Sequence, residues 1–316
     1  MKHFIKNVII GTLVVLASFW FTSCGADNNN DSSLNSLTDS DFTGQKYYFG
    51  FGENESRPNM ANEIKYDVLH THGIFTKNIG GDYIGKTLIH DEATGSSIKA
   101  GWADIKKKMN QGDMYVQYSS GHGYQGGLAV GVKHNEIRDY ALSLPVKEVI
   151  IFTMACYSGT LVDSFNQKKS EWENWPSQGK TLLVMASSQS GELSSTGPGT
   201  DADEPNGAEG TAGSAYGHAL WKALIGYSDG FLDGVKDDYI SLGEIVEYTK
   251  WKTRKVGGHT PSITGAYNPN LIMNRVPPKA YVESLVGGTQ GMSDDEVKQA
   301  VKEFDEEYIE YMKSEN

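Results

Sequence analysis

Cysteine is nearly absent from this chain: 316 residues hold two, Cys24 and Cys156. Basic charge is also scarce. Lys and Arg total 28 against 40 Asp and Glu, a net charge of −12, and no basic stripe or aromatic-basic alternation appears, so nucleic acid is not an expected partner. His70, His72, His90, His134, His218 and His259 stand at no zinc-binding spacing. Asp229 to Glu244 falls short of a calcium loop, because the third loop position is Val235 and the sixth is Asp238 rather than Gly. Gly126-Gly127 lacks the lysine of a phosphate loop. No metal and no cofactor is therefore expected. No internal repeat is visible, and the main apolar run, Val8 to Phe21, is short for a membrane span.

What is present begins with that run. Lys2, His3 and Lys6 precede it, the pattern of a secretory signal over residues 1–23. It closes on Phe21-Thr22-Ser23-Cys24-Gly25, which resembles a bacterial lipobox. That resemblance implies a lipid on Cys24, the first residue of the mature chain. It also implies an exported lipoprotein at the outer membrane, cell surface or periplasmic face, touching the membrane through the lipid only. Residues 24–44, rich in Asp, Asn and Ser, read as a polar tether. With Cys24 acylated, one thiol remains and no internal disulfide can form. A lone thiol in an oxidising compartment is either buried or used.

A folded domain is expected over 45–276, since 38% hydrophobic residues and six Trp in the whole chain support a packed core. Strands are expected at Gln45–Phe51, Met114–Tyr118, Val149–Phe152 and Thr181–Met185, with a short hairpin strand over Leu128–Val132. Helical spacing appears from Ala61 to Leu69, ending at Gly73, then over Ser96–Met109, Glu136–Leu142 and Ser214–Ile225. Ser241-Leu242-Gly243-Glu244 is a capping box opening a helix to about Lys255. A second box at Ser293 opens an acidic amphipathic helix in a C-terminal extension, 277–316. Ser187–Ala212 is a Gly, Ser, Asp and Pro-rich loop. Strands alternating with helices imply an α/β fold, a three-layer α/β/α sandwich with a mostly parallel sheet.

Such sheets bind ligands beyond the carboxyl ends of their strands. His122 follows one strand and Cys156 another, so the fold brings a lone imidazole and a lone thiol to one edge, the minimum pair for thiolate catalysis. A buried structural cysteine is the alternative.

The residues flanking the pair extend the pattern. Ser120-Gly121-His122-Gly123 and Ala155-Cys156-Tyr157-Ser158-Gly159 stand 34 residues apart from His to Cys. Upstream lie Arg57, Tyr66 and Gly73-Ile74, and downstream Ala186 to Ser194. This ordered set resembles the clan CD cysteine peptidases, the caspase-fold group, and most closely the legumain family. The resemblance implies an endopeptidase acting on protein or peptide through a thioester. Cys156 is then the nucleophile, His122 the base and acid, and the N–H groups of Gly123 and Cys156 the oxyanion hole. It also implies substrate contacts for Arg57, and for Ser188 and Glu192 on the loop where this fold builds its pocket. Legumain-like enzymes carry an acid two residues before the Cys; Met154 stands there, so their residue preference is not inherited. An acyl transferase using the same thioester and a catalytically silent interaction module are the competing functions.

Overall fold

The computed structural model describes residues 42, 44–52, 58–77, 83–195 and 214–277. The signal segment, Cys24 and most of the tether, Arg57, most of the long loop and the C-terminal helix all lie outside these. Among the described residues no helix is long and apolar enough to cross a membrane.

In chain order the elements are β1 (Lys46–Gly52), α1 (Pro58–Lys77), β2 (Tyr83–Ile89), α2 (Gly95–Lys106), β3 (Met114–Ser120), β4 (Gly123–Tyr124), β5 (Gly127–Leu128), β6 (Val132–Lys133), α3 (His134–Leu142), β7 (Glu148–Met154), α4 (Gly159–Asn166), α5 (Lys169–Trp172), β8 (Thr181–Ala186), α6 (Ala215–Lys222), β9 (Tyr239–Ser241), α7 (Leu242–Gly257), β10 (Ser262–Ala266) and β11 (Ile272–Arg275). Six strands form the central sheet in the order β10-β8-β7-β3-β1-β2. All pair in parallel except β10, which runs antiparallel to β8. The fold is α/β with a mostly parallel central sheet, as the alternation of elements implies.

Side-chain alternation along the buried strands divides the core between two faces. Tyr48, Val116, Tyr118, Ile150, Phe152 and Met154 pack with α1, α6 and α7. Phe49, Tyr115, Val149, Ile151 and Val184 pack with α2, α3 and α4 on the other side. The chain runs from β1 outward to β2, then returns to β3 and proceeds to β7 and β8. Strand order therefore reverses between β1 and β3, and the crevice that such a reversal opens at the carboxyl edge adjoins the end of β3.

Three local readings change. The helix expected to end at Gly73 runs on to Lys77, because Ile74 and Phe75 are fully buried and that burial outweighs the glycine's roughly 1 kcal/mol helix penalty. The strand expected over Leu128–Val132 is instead two short strands, β5 and β6, in one small three-stranded sheet with β4. Edge strand β2 and helix α4 were not legible at all. The Ser241 capping box is as expected: the Ser241 hydroxyl accepts from Glu244 N, and the Glu244 carboxylate accepts from Ser241 N at 2.9 Å.

Candidate functional site

Strands β3 and β7 are neighbours, and their register ends on the pair Ser120↔Met154. His122 and Cys156 each lie two residues beyond that pair, so the sheet delivers imidazole and thiol to the same edge in matching register. Gly121 N–H donates to Met154 O at 3.1 Å, carrying the pairing one step past the strands. The contact then tightens. A Cβ on Gly123 would lie 2.3 Å from Cys156 O and 2.7 Å from Ala155 Cβ, a spacing only glycine permits.

The Gly123 N–H has a defined direction. Ala129 N–H donates to His122 O at 2.9 Å, so His122 and Ala129 form a hydrogen-bonded pair. The next pair, Gly123↔Leu128, is then of the non-hydrogen-bonded kind, and Gly123 turns its N–H away from β5. Among the described residues the Cys156 N–H also has no hydrogen-bond partner.

Cys156 is half-buried, and its Sγ lies 3.8 Å from Ser194 O. His122 is half-buried, with Nε2 buried and unpartnered among the described residues. No hydrogen bond joins the thiol to this ring among those residues. Catalytic contacts are often longer in the substrate-free state. Tyr157, next to the thiol, adopts φ 59°, the left-handed region that β-carbon sterics disfavour. Its N–H donates to Glu192 O at 2.8 Å.

Polar groups beneath the loop are bonded to one another. Ser158 Oγ lies 3.1 Å from both Ser187 Oγ and Ser188 Oγ. Ala155 N–H donates to Ser187 Oγ at 3.2 Å, and Ser188 Oγ donates to Ala155 O at 3.3 Å. Ser188 is fully buried and braces the Cys156 loop from below. Glu192 also acts on the loop. Its carboxylate accepts from Gln189 N and Thr260 N, both at 3.0 Å, which ties the chain after β8 to the chain before β10. Met154 is 1% exposed within the α1-side core and forms no open pocket floor.

One carboxylate near the edge escaped sequence reading. Asp67 on α1 is buried and accepts from Ser120 Oγ at 2.7 Å, Ser214 N at 2.9 Å and Ser214 Oγ at 2.7 Å. The Tyr118 hydroxyl faces the same carboxylate, but without hydrogen-bond geometry. Burial raises Asp67 to about 6, against the pull of these donors. A single Asp on a helix has no sequence mark that separates it from a surface acid. Asp229 and Glu244, the weak calcium candidates, accept from neighbouring backbone N–H groups at Asp237, Asp238, Gly230 and Ser241. Among the described residues no group of three or more His, Cys, Asp or Glu could hold a metal ion.

No curated protein matches this chain. Among solved structures it is similar to protein GSU0716 from Geobacter sulfurreducens, at 15% identity and a TM-score of 0.46, over 74% of this chain and 98% of that one. These comparisons do not show the closeness to the legumain family expected from the motifs. Residues 24–272 match the model of peptidase family C25, and with most of its length so covered the chain belongs to that clan CD family of cysteine peptidases.

Proposed function

We propose that this protein is a cysteine endopeptidase in which Cys156 and His122 form the catalytic dyad. The observation that carries the reading is the matched position of the two residues, each two steps beyond the Ser120↔Met154 pair, in a chain of a cysteine peptidase family. His122 Nε2, buried and without a partner among the described residues, has an open position for a proton. In the first step the Cys156 proton moves to His122 and sulfur attacks the peptide carbonyl carbon. The carbonyl π electrons move to oxygen, where the N–H groups of Gly123 and Cys156 receive the developing charge. Collapse expels the amine, which takes its proton from His122, and leaves a thioester on Cys156. Water, deprotonated by His122, then releases the acid and restores the thiol.

Arg57, together with surfaces near Glu192, is proposed to contact substrate. The lipobox supports a mature chain that begins at lipid-bearing Cys24 and works at the outer membrane, cell surface or periplasmic face. The test is a positional scanning peptide library applied to the wild type and to Cys156→Ala. Cleavage is expected to fall at least about a thousandfold in the variant. Turnover that survives the substitution refutes the assignment.

A further inference from the structure

Thr160 has no part in the chemistry above, yet its hydroxyl joins the two segments that carry the site's backbone donors. It is the second residue of α4, and its Oγ1 lies 2.8 Å from Tyr157 O, 3.1 Å from Gly126 N and 2.8 Å from His134 Nδ1. A hydroxyl has one proton to give. That proton goes to the Tyr157 carbonyl, which can only accept, so the hydroxyl accepts from both nitrogens. His134 is thereby fixed with its proton on Nδ1. Its Nε2 is buried without a partner among the described residues. A second proton would have to occupy that sealed nitrogen, and burial accordingly lowers the ring to about 4. His134 remains a neutral donor throughout the neutral range.

The bonds converge on one hairpin tip. The Gly126 N–H is held by Thr160, and the Gly126 carbonyl accepts from His134 N at 2.9 Å. Gly126, at φ 93°, turns the chain between β4 and β5, and β4 begins with Gly123. Tyr157 is the residue after Cys156. One side-chain oxygen therefore spans from the hairpin bearing the Gly123 N–H to the loop bearing the Cys156 N–H.

We propose that Thr160, held by His134, is a positioning residue that sets the spacing of the two N–H donors of the oxyanion hole. This rests on the thioester reading given above. Donors of this kind act only within a few tenths of an ångström of the oxyanion position. Without the hydroxyl, the Gly126 N–H and His134 Nδ1–H lose their common acceptor and the hairpin tip is free to shift against the Cys156 loop.

The experiment compares two reactions of the same thiol in the full chain. Peptide hydrolysis develops an oxyanion; alkylation by iodoacetamide, a displacement at a saturated carbon, develops none. Thr160→Val is expected to lower kcat for a peptide substrate about tenfold or more with KM little changed. Cys156 alkylation should stay within about twofold of wild type, and Thr160→Ser should restore hydrolysis. If circular dichroism shows that the valine variant is unfolded, His134→Phe replaces it, removing the donor while keeping a ring, and the same split is expected. Hydrolysis at the wild-type rate, or equal loss of both reactions in a folded variant, overturns the proposal. A wild type that hydrolyses no peptide overturns the peptidase reading and this proposal with it; an active wild type without the split overturns this proposal alone.

Discussion

Two carboxylates buried at opposite edges of the central sheet, Asp67 and Glu148, are treated differently. At the carboxyl edge Asp67 accepts three hydrogen bonds, from the last residue of β3 and from the residue that caps α6. At the amino edge Glu148, the first residue of β7, is 1% exposed and bonds only the Thr181 hydroxyl, while its Oε1 has no partner among the described residues. Burial raises Glu148 to about 7 and Asp67 to about 6. A buried polar group that is fully bonded fixes the elements it joins, whereas a half-bonded one mainly destabilises. Asp67, beside the His122 and Cys156 loops, is the bonded kind, and Glu148, at the far end of the strands, is the half-bonded one.

Gly123→Ala tests the working edge most severely. A methyl group 2.3 Å from Cys156 O must push the two loops apart, so peptide kcat/KM should fall by about a hundredfold or more. The folded state should lose only about 1–3 kcal/mol. Urea melts beside steady-state kinetics check the split, and equal activity in the variant would contradict the close packing of the loops.

Asp67→Ala removes the shared acceptor of three buried donors. A stability loss of about 3 kcal/mol is expected, read as a lower urea midpoint at unchanged slope. A loss under about 0.5 kcal/mol would show that the two edges do not differ in the way described.

Glu148→Gln has the smallest effect and the opposite sign. An acid whose folded pKa is raised stabilises the fold below its unfolded pKa, near 4.3, and loses that contribution as pH rises through the folded value. Wild-type stability should therefore decline between about pH 4 and 8, the lower part of the fall from Asp67 and the upper part from Glu148. Glutamine cannot ionise, so the variant should gain about 2 kcal/mol at pH 8 relative to wild type and none at pH 4. Thermal melts across that range measure it, and an unchanged pH profile would exonerate Glu148.

The contrast also explains what the sequence could and could not disclose. Strands β1, β3, β7 and β8 are apolar runs because both faces are covered, and such runs are conspicuous. His122 and Cys156 were conspicuous as well, each at the end of one of those runs. Strand β2 was invisible because it lies at the edge: Ile84 is 49% exposed, and Gly85 interrupts the run where a Cβ would strike His72 and Thr76. Helix α4 starts on Gly159, a poor helix former that is needed because a Cβ there would meet Ser190 N at 2.4 Å. Ser188 lies buried beneath the Cys156 loop, and a serine reads alike in sequence whether it faces a substrate or the underside of a loop. Thr160, His134 and Asp67 each depend on at least one partner 26 to 147 residues away, and no local pattern encodes such distances.

Tyr157 gives the Cys156 loop the character of a cocked spring. A non-glycine residue at φ 59° holds on the order of 1 kcal/mol that a right-handed turn would release, and the catch is its amide hydrogen bond to the Glu192 carbonyl. Whatever pulls on the connection from β8 to α6, which carries Glu192, therefore pulls on that catch, and the orientation of the adjacent thiol answers to events in a chain segment some thirty-six positions further along.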